Sequence, residues 1–480
     1  MISFFVKEQK RYTQEELKKL FQCDSNKIAE YIRKLKQFNV LKAVKNTQEQ
    51  LNFTELIEDD VEVEETEPGQ SDYLYVFTFV GVITAFERVL KCYPKYIDST
   101  DQPLEELKVV LEVLEKYNSK EQIIKMYNET DETSSFNLLA VMLYLLHDFN
   151  ENGLYSNSTD TIEVNGAGEI LWDKTINESF TFISNTRPYY MEVYTQKRLN
   201  DELDYFKRLH EAILTICSHE LKKAGLADLF AISPVELTDE EISDFGDQDE
   251  ILYRLYNELN VQFNTRKQLL LKTLYAVVSQ NNHLSDIDSF SMFGTNSFHT
   301  VWEKICSEVF NNQLETEVRN LPISLPTIEP NDKLIDLIEK PKWWHDENGY
   351  LVAKSTLIPD IVSMEKISNR YRFFIFDAKY YKLVLTSEKL NGQPGVGDVT
   401  KQYLYQLAFS KITDDVEISE VRNCFLLPTE SDEVINKGRV SMDMLGNLGL
   451  ESIQIRELPV DEVYSHYLHN KKFDLERLGL

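Results

Sequence analysis

The sequence predicts a multi-domain α+β protein, and three observations carry that prediction. The chain has 480 residues, more than one hydrophobic core usually organises. Its 42% hydrophobic and 11% aromatic content is that of packed globular domains and not of a disordered chain. Helical periodicity and strand-like alternation occupy separate stretches, with a mostly helical middle and a strand-rich C-terminal third.

Composition also excludes several classes. The longest apolar stretches, Tyr73–Ala85 and Phe136–Leu146, are too short to span a bilayer, so no membrane is expected. The opening Met1-Ile-Ser-Phe-Phe-Val-Lys-Glu8 lacks the basic stretch and long apolar run of a signal peptide. Five scattered cysteines, Cys23, Cys92, Cys217, Cys306 and Cys424, form no CxxC pair and no Cys/His cluster. That pattern is expected of reduced thiols in a cytoplasmic protein, without structural zinc. The net charge of −29 argues against a surface that grips DNA along its whole length, although a local basic groove and a bound cation can serve a short contact. Such a chain is expected to be delivered to DNA by a partner.

Residues 1–47 read as a separate winged-helix-like module. Thr13-Gln-Glu-Glu16 is a capping box that starts a helix through Phe21. Asp24-Ser-Asn26 opens a second helix with Ile28, Ile32 and Leu35 on one face. Asn39 closes it, and Val40–Val44 has the composition of a strand. This segment carries eleven Lys/Arg against five Asp/Glu, so it suits either nucleic acid or an acidic protein surface. Residues 48–72 contain Glu58-Asp-Asp-Val-Glu-Val-Glu-Glu-Thr-Glu67 before Pro68-Gly69, the pattern of an acidic linker.

Residues 73–290 read as a mixed, mostly helical region for docking a partner. Tyr73–Ile97 alternates as one or two strands broken at Gly81. Leu104–Asp148 is helical, Thr161–Tyr194 is rich in strand formers, and Leu199–Lys222 and Glu250–Ser279 are long amphipathic helices. No catalytic constellation stands out there. No GxxxxGK[ST] occurs anywhere, so the chain is not expected to hydrolyse nucleotide itself.

Residues 291–480 hold the chemistry. Ile358-Pro-Asp360-Ile-Val is followed by Arg372-Phe-Phe-Ile-Phe-Asp377-Ala-Lys379, two expected strands with Ser363–Arg370 as their connection. Strand side chains alternate faces, so Asp377 and Lys379 point the same way. Antiparallel pairing would set Asp360 beside Asp377. Two carboxylates plus the Ala378 carbonyl make an oxygen cage suited to Mg²⁺. A lysine ammonium next to such an ion stabilises the charge that develops in phosphodiester cleavage. The helix Phe298–Cys306 places Glu303 as an additional metal-side carboxylate, and the helix from Lys401 to Ser410 carries an inward Gln402. Asn423–Pro428 reads as a further buried strand. Asp360 as a turn cap, Asp377–Lys379 as a simple ion pair and Gln402 as a solvated helix residue are the structural alternatives. Trp343-Trp344-His345 suggests a base-stacking platform, but paired tryptophans more commonly occupy core and rim.

The chain resembles the LlaJI family of restriction endonucleases, the McrC-like nuclease subunits of McrBC-type systems. The resemblance rests on Phe79-Val-Gly-Val-Ile83, Arg88-Val-Leu-Lys-Cys-Tyr-Pro-Lys-Tyr96, Gly168-Glu-Ile-Leu-Trp172-Asp-Lys-Thr-Ile176, Phe298–Glu303, the Pro-Asp…Asp-Ala-Lys block and Asp398–Gln406. It implies a PD-(D/E)xK restriction-endonuclease-like core, cleavage of double-stranded DNA by a type II-like or modification-dependent enzyme, and a McrB-like AAA+ GTPase partner that binds GTP. It also implies that the motif's metal and catalytic roles fall on Asp360, Asp377 and Lys379. One departure is that the superfamily's helical Gln-x-x-x-Tyr stands here as Gln402-x-x-x-Gln406, with Tyr405 one residue early. Two rival expectations are a non-catalytic subunit that docks and activates the motor, and a stand-alone repair or transposition nuclease.

Overall fold

The computed structural model describes residues 1–45, 73–118, 137–156, 158–200, 204–280, 284, 290–323, 329–345, 349–367, 370–410, 418–446 and 448–480. The expected acidic linker lies outside the described residues. Helices and sheets are mixed throughout, as an α+β protein requires. The chain divides into two compact units, one built from Ile2–Ile83, Arg88–Asp131 and Met292–Leu480, the other mainly from Glu132–Ser291. Among the described residues no helix is long and apolar enough to cross a membrane.

The discontinuous unit begins with β1 (Ile2–Lys7) and β2 (Arg11–Tyr12). Helix α1 (Gln14–Phe21) follows the expected capping box: the Thr13 hydroxyl accepts the Glu16 N–H at 3.2 Å, and Glu16 accepts the Thr13 N–H at 2.7 Å. Asp24 caps α2 (Ser25–Gln37) by accepting the Lys27 N–H. Leu17, Phe21, Ile28, Ile32 and Leu35 are buried, and Asn39 at φ 55° ends the pair of helices. The strand β3 (Leu41–Lys45) pairs with β4 (Tyr73–Phe77) in a small sheet ordered β2-β4-β3.

Three strands, not one or two, occupy Tyr73–Ile97: β4, β5 (Val80–Ala85) and β6 (Arg88–Tyr93). Gly81 does not break a strand. It sits inside β5 at φ +138°, where a Cβ would stand 2.1 Å from the Phe293 carbonyl oxygen. The glycine permits close backbone approach. β1 pairs in parallel with β6, an association that crosses from the first residues past the whole small sheet. Helix α3 (Leu104–Asn118) completes this part.

The other unit holds α4 (Leu138–Asn152), β7 (Ser158–Val164), β8 (Glu169–Ile170), α5 (Trp172–Glu178), β9 (Thr181–Ser184), β10 (Arg187–Tyr190) and β11 (Tyr194–Asn200). Helices α6 (Tyr205–Lys223), α7 (Gln248–Val261) and α8 (Thr265–Gln280) follow. Leu199 thus belongs to a strand, and the expected long helix over Glu250–Ser279 is two helices. Gln262 is extended at the break, and Asn264 accepts the Lys267 N–H to restart the second helix. Arg266 grips the buried Asp148 carboxylate through two bonds of 2.9 and 2.7 Å.

The chain returns to the first unit through β12 (Phe290–Thr295) and α9 (Phe298–Val309). A short hairpin of β13 (Lys342–Trp344) and β14 (Tyr350–Val352) precedes β15 (Ile361–Ile367) and β16 (Arg370–Ala378). β15 therefore runs through residues expected to be the connection. After the two-residue strands β17 (Val384–Leu385) and β18 (Leu390–Asn391) come α10 (Val396–Ala408), β19 (Ile418–Thr429), β20 (Ile435–Val440), β21 (Ile453–Pro459) and α11 (Val460–Leu468). Helix α10 starts earlier than expected, since the Asp398 carboxylate accepts the Gly395 N–H and caps its first turn.

The main sheet is ordered β15-β16-β19-β21-β20. Its centre, β16-β19-β21, is parallel, and both edges are antiparallel. Phe373–Ala378 are all buried because both faces of β16 are covered, which explains the continuous apolar run. Tyr405 of α10 and Phe409, which caps its C-terminus, join Phe373 and Ile375 in one core, whereas Val399 and Tyr403 join Phe425, Leu427 and Ile455 in another. Early and late segments interlock: the Tyr96 and Tyr464 hydroxyls meet at 2.9 Å, and the Tyr380 hydroxyl donates to Glu8 at 2.6 Å.

Candidate active site

The register of the main sheet brings the acidic residues together. Ile361 lies opposite Phe376 in the antiparallel β15–β16 pair, so Asp360 stands beside Asp377 at the end of the ladder. Asp360 is fixed by its own Oδ2, which accepts the Ala378 N–H at 3.0 Å. Lys379 follows the last residue of β16 and reaches back, its Nζ 3.2 Å from Asp377 Oδ2 and 3.2 Å from Asp398 Oδ1. Asp398, in the first turn of α10, is a site residue that strand reasoning missed. Its signals in the sequence were its position at the head of the helix carrying Gln402 and its place in the Asp398–Gln406 stretch of the family resemblance.

One carbonyl organises the surroundings. Leu426 O of β19 accepts the Lys379 N–H at 3.0 Å and the buried Trp302 indole N–H at 3.2 Å. The first bond holds the strand end that bears Lys379. The second seats α9, which presents the half-buried Glu303 toward Lys379 and Asp377. Gln402 is fully buried. Its amide donates to Ile375 O at 2.9 Å, and Asn423 lies between Gln402 and Gln406, donating to Gln406 Oε1 at 2.9 Å. The two glutamines thus share one asparagine from β19. Gln402 braces the strand that carries Asp377, and no solvated role remains for it.

Charge in this site is strained by burial. Burial pushes the Asp377 carboxyl up to about 8, with the adjacent Asp360 adding to the shift and Lys379 opposing it. Burial also raises Asp360 and Glu303. The two carboxyls lie close enough to be coupled, and burial favours the neutral form of each. Burial alone would lower the Lys379 ammonium, but Asp377, Asp398 and Asp360 hold it well above its ordinary value. Those three carboxylates favour the charged form of Lys379.

Among the described residues no group of three or more His, Cys, Asp and Glu side chains comes together closely enough to hold an ion alone. The carboxylates nearest one another here are Asp360 and Asp377, and Glu303 is close enough to feel the charge of Asp377. Two carboxylates with the remaining positions left to water and phosphate oxygens is a set that Mg²⁺ commonly takes.

Trp343 and Trp344 occupy neither core nor rim. They are 70% and 68% exposed on the β13–β14 hairpin, where the Trp344 ring lies 4.7 Å from that of Tyr350. All five cysteines are free thiols.

Comparison with known proteins agrees with the resemblance. The chain is 28% identical over 418 residues to the type II restriction enzyme BsuMI component YdjA of Bacillus subtilis (strain 168), covering 84% of this chain and 83% of that protein. A tetradecameric assembly of Thermococcus gammatolerans McrB AAA+ hexamers with bound McrC aligns over 98% of this chain and 99% of the other, at 13% identity and a TM-score of 0.35. The cryo-EM McrBC complex of the same organism aligns over 63% and 86%, at 12% identity and 0.24. Scores this low establish no shared fold. The LlaJI restriction endonuclease model, however, matches residues 79–465, and the chain belongs to that family.

Proposed function

We propose that this chain is the Mg²⁺-dependent nuclease subunit of a GTP-dependent restriction system of the McrBC type, acting on double-stranded DNA in the cytoplasm. The observation that carries the reading is the β15–β16 register, which sets Asp360 against Asp377 with Lys379 clamped between Asp377 and Asp398. Family membership supplies the reaction class. In this reading residues 291–480 form a PD-(D/E)xK core with the order helix, strand, strand, helix, strand, and α1, α2 and β3 form a winged-helix-like module.

Asp360, Asp377 and the Ala378 carbonyl would hold Mg²⁺, with Glu303 in support. Bound there, the ion supplies Lewis-acid neutralisation of the phosphate and a more acidic water. Lys379 keeps a full positive charge beside the carboxylates, where it stabilises the nucleophile or the anionic phosphate oxygens. The Ala378 N–H orients Asp360, and Asp398 holds Lys379 on the side facing the cleft. Gln402 keeps β16 rigid, so the two aspartates retain their spacing.

The partner reading rests on the family resemblance and on one surface. In the unit Glu132–Ser291, Phe180, Ile183 and Met191 are 74%, 78% and 74% exposed around the β9–β10 hairpin. Apolar side chains so displayed mark a protein contact. Phe180→Asp with Ile183→Asp should abolish stimulation of an AAA+ GTPase without lowering thermal stability, and retained stimulation would place the contact elsewhere.

The decisive assay is plasmid cleavage with Mg²⁺, with and without the AAA+ partner and GTP. Cleavage only in the full mixture, lost at least 1,000-fold (an order-of-magnitude expectation) in Asp377→Ala, establishes the reading. Cutting by the chain alone would favour a stand-alone nuclease. GTPase stimulation with no cutting under any condition would leave a docking subunit.

A further inference from the structure

Helices α1 and α2 are joined by only three residues, Gln22, Cys23 and Asp24, with Gln22 left-handed at φ 48°. Two helices joined so tightly form a helix-turn-helix, whose second helix can lie in the major groove of duplex DNA. The Lys18 ammonium donates to the Ser25 hydroxyl at 3.0 Å across that turn, and the Asp24 carboxylate caps α2. Ile28, Tyr31, Ile32 and Leu35 bury one side of α2. Asn26, Glu30, Arg33 and Gln37 follow one another along the opposite side with Lys27 beside them, and all five are exposed.

The chemistry of that face favours nucleic acid over protein. A protein-docking face carries apolar or aromatic anchors at its centre, and these five residues include none. Asn, Gln and Arg present the donors and acceptors that match adenine and guanine edges, and Lys suits a phosphate. Charge points the same way. Residues 1–47 hold eleven Lys/Arg against five Asp/Glu in a chain of net charge −29. Three of those acids are engaged within the fold: Glu8 accepts the Tyr380 hydroxyl, Glu16 the Thr13 N–H and Asp24 the Lys27 N–H. Glu30 is the one carboxylate that α2 itself contains. Among the described residues neither Lys27 nor Arg33 enters an ion pair.

We propose that α2 reads DNA sequence: Asn26, Arg33 and Gln37 contact base edges in the major groove, and Lys27 holds a neighbouring phosphate. The inference rests on the nuclease reading above only for its choice of duplex DNA, and it adds a recognition site to the cutting one. Asn39, in the turn that ends α2, borders the same cavity as Glu303 and Lys379. The 13 residues of α2 span about 20 Å, less than the roughly 34 Å of one turn of DNA. A duplex lying along α2 therefore passes within reach of the proposed centre.

The test uses the full chain as Asp377→Asn, without an AAA+ subunit, and a library of randomised duplexes from which bound molecules are recovered and sequenced. A motif of a few adjacent base pairs should be enriched. Arg33→Ala should erase the preference at one or two positions and weaken binding to the enriched duplex about tenfold, while binding to a scrambled duplex barely changes. Arg33→Lys, which keeps the charge but loses the planar fork, should not restore the preference. Lys27→Ala should weaken both duplexes alike and flatten the slope of log affinity against log salt by about 1. No enriched motif, or a motif that survives combined alanine substitution of Asn26, Arg33 and Gln37, would overturn the proposal. Unchanged selection with lost binding of the AAA+ subunit in Arg33→Ala would also overturn it, by assigning the face to a protein. A chain that selects a motif while its unsubstituted form never cuts would remove the nuclease reading alone, and cutting without selection would remove this one alone.

Discussion

Asp398 holds Lys379 away from a simple pairing with Asp377. The ammonium has two carboxylate neighbours at the same 3.2 Å distance, Asp377 below and Asp398 on the adjoining helix. Without Asp398 it would collapse onto the aspartate pair, where it would compete with a cation. Asp398→Ala should therefore slow single-turnover cleavage by roughly 10–100-fold, the scale of a misplaced catalytic group. The loss should be partly recovered at raised Mg²⁺, whereas a variant that cuts at the full rate would show that Lys379 needs no second anchor. The same residue shows where sequence reasoning stops. Asp360, Asp377 and Lys379 were legible because they lie on two neighbouring strands and obey a period of two. Asp398 comes from the head of a helix, and no local period links it to the aspartates.

At the scale of elements, legibility followed local chemistry. The capping box at Thr13 and the Asp24 cap are interactions within one turn, and both helices begin where the residues indicate. β1 was invisible because Ile2–Lys7 finds its partner only at Arg88–Tyr93. The role of Gly81 was misread for a related reason. A glycine in an alternating stretch looks like an interruption until the neighbouring backbone is known. Here Phe293 and Gly294 press against it, so Gly81→Ala meets a carbonyl oxygen at 2.1 Å and a positive φ at once. We expect a loss on the order of 2–4 kcal/mol, read as a lower denaturant midpoint. A midpoint within experimental error of the parent would mean that β5 and β12 can separate without cost. The tryptophan hairpin failed differently: its rings are neither core nor rim, since a two-stranded hairpin has no second layer to bury them.

For the molecule as a whole, charge and pH act through buried groups more than through the acidic surface. In the unit Glu132–Ser291, the His210 ring is fully buried and its Nδ1 accepts the Tyr155 N–H at 3.1 Å. Burial lowers its pKa to about 4, with Asp148 opposing and Arg266 reinforcing the shift. The unfolded ring takes a proton near pH 6.5 and the native ring only near 4, so its contribution is full above 6.5 and is lost as pH falls through that window. The loss is about 3 kcal/mol. The unfolding free energy should fall more steeply between those values in the parent than in His210→Leu, and parallel curves would clear His210 of the effect. The discontinuous unit has a different consequence, one of time. β5 and β6 leave the ribosome long before β12, which begins at Phe290, and before Tyr464, which closes on Tyr96. At roughly 5–20 residues per second, the nascent chain waits on the order of tens of seconds with an apolar sheet edge uncovered. Translation that stalls within the intervening unit leaves a fragment primed to aggregate, so supply of the finished nuclease depends on uninterrupted synthesis as much as on the stability of the fold.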